Sequence, residues 1–268
     1  MKKSLSIAYL VLIFGILYIP ILTLILFSFN SANSTANFEG LSLRWYIELF
    51  NSPDAFEALR NSLILAALSS IIATVIGTAA AEGIYKMKSK LAKAAITSVT
   101  NIPMMNPDIV TGMSMMLFFV AVVGMLSIEY ERIGFTAMLI SHVTFGLPYV
   151  ILSVLPRITE LGDSLSEAAL DLGCTPVQAF FKVKLPNIMP GVISGMIMAF
   201  TLSLDDFVIS YFVGSSNFQT LPLLIYSMTK KKVTPDMYAL STLIIIAIFT
   251  LLFISNVKAG KKEGGKKR

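Results

Sequence analysis

The stretch SLSEAALDLG at residues 164–173, followed by Leu185-Pro186, decides the architecture because it is a polar island between two apolar segments of membrane length. Ser164 and Glu167 have the spacing of a capping box, in which a hydroxyl and a carboxylate bind backbone N–H groups at a helix start. We therefore predict a short helix that begins at Ser164. Gly173 can supply the left-handed residue that ends this helix.

The predicted helix has one apolar face. Its apolar residues follow the i, i+3, i+4, i+7 spacing of such a face: Leu165, Ala168, Ala169 and Leu172. Thr175-Pro176 predicts the start of a second helix, in which threonine is the cap and proline lies in the first turn. This helix is expected to end before Pro186. Two short helices that meet near Gly173 are typical of a docking element.

The same residues carry a resemblance to a known family. Glu167-Ala168-Ala169, then Gly173, then Val183 and Leu185-Pro186 resemble the EAA signature of the permeases in ABC importers, with valine where isoleucine is usual. In that family the loop docks in a cleft of a cytosolic ATPase. The resemblance implies that Glu167 caps the docking helix, that Ala168 and Ala169 keep its face thin, and that Gly173 permits the bend. The resemblance assigns six ATPase-coupling residues: Glu167, Ala168, Ala169, Gly173, Leu185 and Pro186.

The composition is that of a membrane protein. Hydrophobic residues make up 55% of the 268 residues and charged residues 14%, against roughly 25% charged residues in soluble domains. Apolar runs long enough to cross a hydrocarbon core of ~30 Å lie at residues 7–29, 61–85, 105–127, 133–155, 190–213 and 237–257. We therefore predict an all-α polytopic membrane protein with six transmembrane helices.

The predicted organisation has three parts. Residues 1–59 hold an N-terminal transmembrane helix and an external loop, and the apolar run of this helix is longer than the ~7–15 residues of a signal-peptide core. Residues 60–257 hold five spans around the polar loop 157–189, which resembles the five-helix core of the type I importer permease fold. Residues 258–268 form a basic tail.

The distribution of charge favours both termini in the cytosol. Of the 21 Lys and Arg residues, 15 fall on one side of the six-span arrangement, including the polar loop and the tail, and six fall on the other side, among them Lys230–Lys232. Because positively charged loops stay in the cytoplasm, the EAA-like loop should face ATP in a bacterial cytoplasmic membrane. The pI of 9.2 follows from charges that flank the membrane and meet anionic lipid, and it does not imply a nucleic-acid partner.

The sequence offers no energy-coupling or catalytic motif of its own. It contains no phosphate-binding loop, no metal-spaced His/Cys cluster and no serine nucleophile elbow. The chain is therefore expected to be a permease subunit and not an enzyme, without a cofactor or metal, while ATP and Mg²⁺ bind the partner ATPase. The histidine at position 142 lies inside the fourth span, where a helix-packing hydrogen bond is expected. Glu82, four residues before Lys86, is expected to form a helix pair.

Asp205 and Asp206 lie in the fifth predicted span. An aspartate at the centre of a membrane helix costs roughly 2.5–3.5 kcal/mol, so two in succession predict a polar cavity that favours a cationic solute. Adjacent helical residues diverge by ~100°, so one carboxylate can face the pathway while the other bonds a neighbouring helix. The sequence does not decide which does so. Ser210 shares the small, polar stripe of Asp206.

Two further residues are candidates for the substrate pathway. Asp108 follows Asn106-Pro107 and equally fits a helix start, in which asparagine caps, proline occupies the first turn and the acid complements the dipole. Tyr211 can form an aromatic wall that accepts a cation.

A second resemblance covers nearly the whole chain. The motifs at Trp45-Tyr46 and at residues 107–110, 141–145, 202–206 and 221–228 look like those of spermidine/putrescine importer permeases, specifically the second of their two permease subunits. The resemblance implies a second homologous permease, two ATP-binding subunits and an extracytoplasmic polyamine-binding protein as partners. It also makes Asp108, Asp205 and Asp206 carboxylates of a polyamine pathway.

Three alternatives remain at this point. The same machinery can carry another solute, such as ferric iron, sulfate, phosphonate or a sugar, although anions fit poorly with Asp205-Asp206. An ion-coupled secondary transporter or channel can use these aspartates, but it gives the EAA-like loop no role. An intramembrane enzyme is the most distant alternative, because paired catalytic aspartates there come from separate helices.

Overall fold

The computed structural model describes residues 2–32, 37–106, 108–127, 129–215, 217–231, 237–246 and 249–250, and these residues are mostly helical. Their extended structure is limited to an isolated bridge between Asn30 and Leu41. The helices are α1 Lys2–Phe27, α2 Arg44–Phe50, α3 Pro53–Lys86, α4 Lys90–Met105, α5 Asp108–Leu126, α6 Tyr130–Leu161, α7 Ser164–Asp171, α8 Pro176–Ala179, α9 Leu185–Leu204, α10 Val208–Val213, α11 Leu221–Lys231 and α12 Met237–Ile246.

The prediction of an all-α polytopic membrane protein is confirmed. Within the described ranges, five segments are long and apolar enough to cross a membrane: Tyr9–Phe27, Pro53–Lys86, Asp108–Leu126, Ile133–Leu161 and Pro176–Leu204. They overlap the first five predicted spans. The sixth predicted span, 237–257, begins with the shorter apolar helix α12, and beyond residue 250 it lies outside the described residues.

Two compact units make up the chain, one of residues 59–222 and one that combines residues 1–58 with 223–268. In the second unit, the loop after α1 is folded around Asn30. The Asn30 side chain accepts a hydrogen bond from the backbone N–H of Glu39 at 3.0 Å, and its own backbone carbonyl accepts one from the Trp45 indole at 2.6 Å. Trp45 is consequently buried.

The unit of residues 59–222 is built on a close approach of α6 and α9. A Cβ atom placed on Gly191 would lie 2.8 Å from the Ser153 carbonyl oxygen, and one on Gly195 would lie 3.0 Å from the Cα atom of Val150. Small residues allow membrane helices to come this close. The core around this contact contains Val150, Val154, Ile158 and Ile188, all fully buried. The close contact with α6 therefore fixes the position of α9.

Helix α4 was not predicted from the sequence. Residues 86–104 fall between two predicted spans, but residues 90–105 form a helix capped by Ser89, whose side chain accepts a hydrogen bond from the Ala92 N–H at 3.3 Å. None of the described residues of α4 is buried in this chain, and Leu91 and Met105 are among its most exposed side chains. The lysines at its start lowered the local hydropathy and concealed the apolar face.

The fifth predicted span is not one continuous helix over 190–213. Helix α9 ends at Leu204, residues 205–207 form a break, and α10 begins at Val208. The physical reason is the Asp206 carboxylate, which accepts hydrogen bonds from the backbone N–H groups of Ile209 at 3.2 Å and Ser210 at 2.8 Å. These N–H groups belong to the first turn of α10, where a capping carboxylate replaces helical partners. The prediction of two helical faces that extend through Asp205 and Asp206 was therefore wrong.

Candidate functional site

The EAA-like loop contains the predicted first helix, but its capping differs. Helix α7 begins at Ser164 as predicted, and Asp163 is the residue that precedes it. Ser164 is thus the first helical residue and not the cap, and the Glu167 N–H bonds the Asp163 carbonyl oxygen at 2.9 Å. The predicted capping box of Ser164 and Glu167 was therefore wrong, because the box requires Ser164 to lie outside the helix.

The C-terminal end of α7 confirms the predicted role of Gly173 as a stop. Gly173 has φ +86°, a conformation that residues with a Cβ atom rarely adopt. The Gly173 N–H bonds the Leu170 carbonyl oxygen at 2.9 Å, and the Cys174 N–H bonds that of Ala169 at 3.0 Å. This pair of bonds is the Schellman motif. It reverses the chain into the second helix of the loop.

The second helix begins as predicted but does not end before Pro186. Thr175 caps α8 and forms a reciprocal capping box with Gln178, with Pro176 in the first turn. A single π-helical turn, Phe180–Lys184, then leads directly into α9. Proline cannot donate a helical hydrogen bond, and the wider turn before Leu185-Pro186 accommodates it. The coupling loop is therefore continuous with a membrane-spanning helix.

The loop exposes apolar side chains. Ala169 and Ala179 are buried, whereas Leu172 is 87% exposed and Phe181 is 61% exposed. Leu165 and Ala168 are exposed as well. Several exposed apolar side chains on one loop between polar residues are typical of a site of protein–protein contact. This surface is consistent with the docking role that the EAA resemblance assigns to the loop.

Beneath the loop lies an open cavity of about 490 Å³. It carries acidic groups from both the loop and α3 beside two lysines. Its lining consists of Glu82, Tyr85, Lys86, Asp163, Ser166, Glu167, Leu170, Pro176, Ala179, Phe180 and Lys184. Glu167 of the EAA signature therefore faces the same space as the end of α3.

An ion pair that the sequence reasoning missed joins the loop to α3. Lys184 is only 2% exposed, its Nζ atom lies 2.8 Å from Glu82 Oε2 and 3.0 Å from Glu82 Oε1, and it also lies 4.6 Å from the centre of the Tyr85 ring. The predicted pair of Glu82 with Lys86 is confirmed at 3.0 Å. The contact with Lys184 spans 102 residues of sequence, and no local pattern signals such a pair.

At the other end of α9, His142 is the centre of a buried polar network. Its Nδ1 atom lies 2.7 Å from Ser203 Oγ and its Nε2 atom 3.2 Å from Ser210 Oγ. Ser69 of α3 donates to Ser203 at 3.0 Å. The predicted helix-packing hydrogen bond of His142 is confirmed, and it extends over α3, α6, α9 and α10.

The two adjacent aspartates differ in their surroundings. The Asp206 side chain is 8% exposed, and its Oδ2 atom lies 3.5 Å from His142 Nε2. Asp205 is exposed, and its backbone N–H closes the last turn of α9 on the Thr201 carbonyl oxygen. Ser210, another predicted pathway residue, is fully buried within the network.

Asp108 lies in the same region as Asp205. It is exposed in the first turn of α5 and is close enough to Asp205 for electrostatic interaction. One turn further along, Gly112 packs against α10, where an added Cβ atom would lie 3.4 Å from the Val208 carbonyl oxygen. Tyr211 of α10 is 47% exposed, with its ring 5.4 Å from that of Phe207. The structure thus leaves Asp108 and Asp205 exposed, whereas the Asp206 side chain and Ser210 are buried.

The fold and the two sites define a class of protein. Several segments that can span a membrane, with an exposed EAA-like loop at one end of α9 and carboxylates at the other, fit a transport permease. The family model described as "Binding-protein-dependent transport system inner membrane component" matches residues 73–259. The chain belongs to this family, the permease subunits of ABC importers, and it is a multi-pass membrane protein and not an enzyme. As the family description states, its transport depends on a binding protein.

Comparisons with individual proteins agree with this assignment. The chain is 39% identical over 246 residues to the putrescine transport system permease protein PotI of Escherichia coli K12, covering 92% of this chain and 87% of the relative. It is 36% identical over 253 residues to the spermidine/putrescine transport system permease protein PotC of the same organism, covering 94% and 93%. A solved bacterial ABC transporter for the acidic polysaccharide alginate has the same fold, with TM-score 0.77, 17% identity, and 97% and 96% of the two chains covered.

Proposed function

We propose that this chain is one of two permease subunits of an ATP-driven importer for polyamines, and that it forms half of the translocation pathway. The observation that carries the proposal is the cluster of exposed carboxylates at Asp108 and Asp205, in a chain that is 39% identical to a putrescine permease. Opposite charges attract more strongly where water is excluded. Carboxylates in such a pathway therefore favour a flexible cation with ammonium groups.

The complete importer, in this proposal, contains a second homologous permease, two ATP-binding subunits and an extracytoplasmic polyamine-binding protein, embedded in membrane lipid. ATP and Mg²⁺ bind the ATPase subunits, and this chain holds no cofactor. Both termini and the EAA-like loop lie in the cytosol, because 15 of the 21 Lys and Arg residues then fall on the cytosolic side. Asp205, at the opposite end of α9, then lies nearer the outer face.

Coupling begins at the apolar surface of α7, which would seat in the ATPase cleft. Closure of the ATPases would displace the loop, and the buried pair of Lys184 and Glu82 would carry this displacement to α3. Because α9 continues from the loop and packs tightly on α6, the same displacement would reach Asp205. The pathway would switch between inward-facing and outward-facing states, and the binding protein would deliver the polyamine to the outward-facing state.

The fold alone does not select the substrate. An importer of an acidic polysaccharide shares the fold at 17% identity, so selection must come from the side chains that line the pathway. For this chain those side chains include the carboxylates of Asp108 and Asp205. They oppose anions and favour cations, which supports polyamines over sulfate, phosphonate or acidic sugars.

The test is ATP hydrolysis by the reconstituted complex with its binding protein, in the presence of spermidine, putrescine, ferric iron or a neutral sugar. We expect stimulation by the polyamines only. Stimulation by iron or by the sugar would support the ABC importer but contradict polyamines as its substrate. A matched reaction without the binding protein controls for basal hydrolysis, since the stimulation should require the loaded binding protein.

A further inference from the structure

The adjacent aspartates of the helix break are chemically unequal. Asp206 is buried, and both of its oxygens accept hydrogen bonds from backbone N–H groups of α10. Asp205 is exposed beside Asp108. A carboxylate that is buried, accepts from two N–H groups and lies against a histidine has fewer acceptor sites open to a ligand than an exposed carboxylate.

We propose that Asp206 and His142 are positioning residues, which hold the break between α9 and α10 so that Asp205 is the carboxylate of the pair that binds an ammonium group of the substrate. This inference rests on the proposed function, because it assigns roles within the pathway of that importer. It decides between the two carboxylates that the sequence left equivalent.

The imidazole of His142 contacts three side chains around the break. Its Nδ1 atom lies 2.7 Å from Ser203 Oγ, and its Nε2 atom lies 3.2 Å from Ser210 Oγ and 3.5 Å from Asp206 Oδ2. We assign the ring proton to Nε2, because an ionised carboxylate accepts hydrogen bonds and cannot donate them. In this tautomer the imidazole N–H points towards the carboxylate and helps to fix its orientation.

Helix packing places His142 where this contact is possible. One turn after His142, a Cβ atom on Gly146 would lie 3.3 Å from the Ala199 Cβ atom, and Ala199 lies one turn before Ser203. The two small residues allow α6 to approach α9 just before the break. His142 then contacts the last turn of α9 through Ser203 and the first turn of α10 through Ser210. The imidazole therefore bridges the break.

The exposed side of the break has the composition of a cation site. Asp205 in the break and Asp108 in the first turn of α5 supply two exposed carboxylates. Tyr211 and Phe207 supply aromatic rings at 5.4 Å from each other, and aromatic faces attract cations. Ser210 belongs to the support and not to the binding surface, since it is fully buried.

Uptake kinetics of the complete reconstituted importer test the proposal through Asp205→Asn, Asp206→Asn and His142→Ala, each with spermidine. Asp205→Asn should raise the KM by about tenfold or more, the effect of losing one charge-assisted contact. Asp206→Asn and His142→Ala should lower kcat with a smaller change in KM, because they disturb the break and leave the binding carboxylate in place. His142→Asn, whose amide can still bond Ser203, should recover part of the rate.

The matched control is Thr144→Val. Thr144 lies on the same helix, and its hydroxyl donates to the Ile140 carbonyl oxygen at 2.8 Å, outside the network. This variant should transport like the unchanged protein. Equal increases in KM for Asp205→Asn and Asp206→Asn would overturn the proposed division of roles. A complex that polyamines do not stimulate would instead overturn the proposed function.

A labelling experiment tests the same assignment without relying on the Asp206 variant to fold. Cys174 is the one cysteine in the sequence, so Asp205→Cys can be introduced into a Cys174→Ser background. A cationic thiol reagent should label the new cysteine, and spermidine at a concentration well above the raised KM of Asp205→Asn should slow the labelling. Ser210→Cys in the same background should react much more slowly because its side chain is buried. Labelling of Asp205→Cys that spermidine does not slow would contradict the proposal.

Discussion

The two ends of α9 are both held by buried polar contacts, but of different kinds. At the coupling loop, Lys184 and Glu82 form an ion pair between two formal charges. At the break, His142 and Asp206 belong to a network of hydroxyl groups and backbone N–H groups. A buried ion pair depends on both charges, because removing one leaves the other without compensation. A network of neutral hydrogen bonds can lose one member without leaving a buried charge uncompensated, so a single substitution costs less.

The difference fits the proposed roles of the two ends. The loop must transmit force from a partner, and a strong pair between α3 and the π-helical turn makes them move together. The break must hold a carboxylate in a defined orientation, and directional hydrogen bonds do so without placing a second buried charge beside the pathway. Four substitutions test whether the two ends of α9 differ in this way, in order of decreasing expected effect.

Glu82→Gln should have the largest effect. It leaves the Lys184 ammonium group buried without its carboxylate, which we expect to destabilise the protein by about 3 kcal/mol. The measurement is thermal unfolding of the purified complex together with uptake. Lys86→Met is the control, because Lys86 pairs with the same carboxylate but its side chain is 66% exposed, and exposed pairs contribute about 1 kcal/mol or less. Equal decreases in the melting temperature for both variants would show that the burial of Lys184 does not determine the loss of stability.

Gly173→Val should come next. A β-branched residue at φ +86° is strained by roughly 1–2 kcal/mol, and nothing lies within 4 Å of the added Cβ atom, so the cost is conformational and not steric. We expect the Schellman turn to shift and uptake to fall well below ATP consumption. Gly173→Asn should retain most of the coupling, because asparagine tolerates the left-handed conformation. The ratio of polyamine transported to ATP hydrolysed measures the effect.

Asp206→Asn should destabilise the protein by about 1 kcal/mol, the typical cost of a lost helix cap. The amide retains one acceptor oxygen, but its NH₂ group would face a backbone N–H. Chemical denaturation, compared with Asp205→Asn, checks this expectation. Asp205→Asn should alter stability less, because Asp205 is exposed. A larger loss of stability from Asp205→Asn would reverse the assignment of the two roles.

Ser203→Ala should have the smallest effect, about 1 kcal/mol or less. It removes the hydroxyl group between Ser69 and His142 and leaves the contact of His142 with Asp206. A double-mutant cycle with His142→Ala measures the coupling, which should be non-zero because the two residues are in contact. Additive effects would show that the network does not act as a unit.

Local sequence patterns predicted the elements whose determinants are also local. The start of α7 at Ser164, the left-handed stop at Gly173 and the cap at Thr175 each depend on a few neighbouring residues. Hydropathy predicted the first five spans to within a few residues at most ends, because burial in lipid requires long apolar runs. The spacing of the EAA-like stretch predicted the two short helices α7 and α8 in the same way, and their coupling role stays a prediction.

The features that were missed depend on contacts between distant residues. The pair of Lys184 with Glu82 and the partners of His142 are set by helix packing. The break at Asp205 and Asp206 was missed because hydropathy treats the apolar residues on both sides as one span. The one local signal was an aspartate followed by a short apolar stretch, which is also how a capped helix begins. The two aspartates differ in exposure, and this difference can be read only from the structure.

The most direct measurement of the central claim is the accumulation of radiolabelled spermidine in proteoliposomes that contain the complete importer. The binding protein is supplied outside, and ATP is supplied either on the side of the α7 loop or not at all, with or without an ion gradient. We expect accumulation that requires both the binding protein and ATP on the loop side. Accumulation driven by the ion gradient without ATP would contradict it.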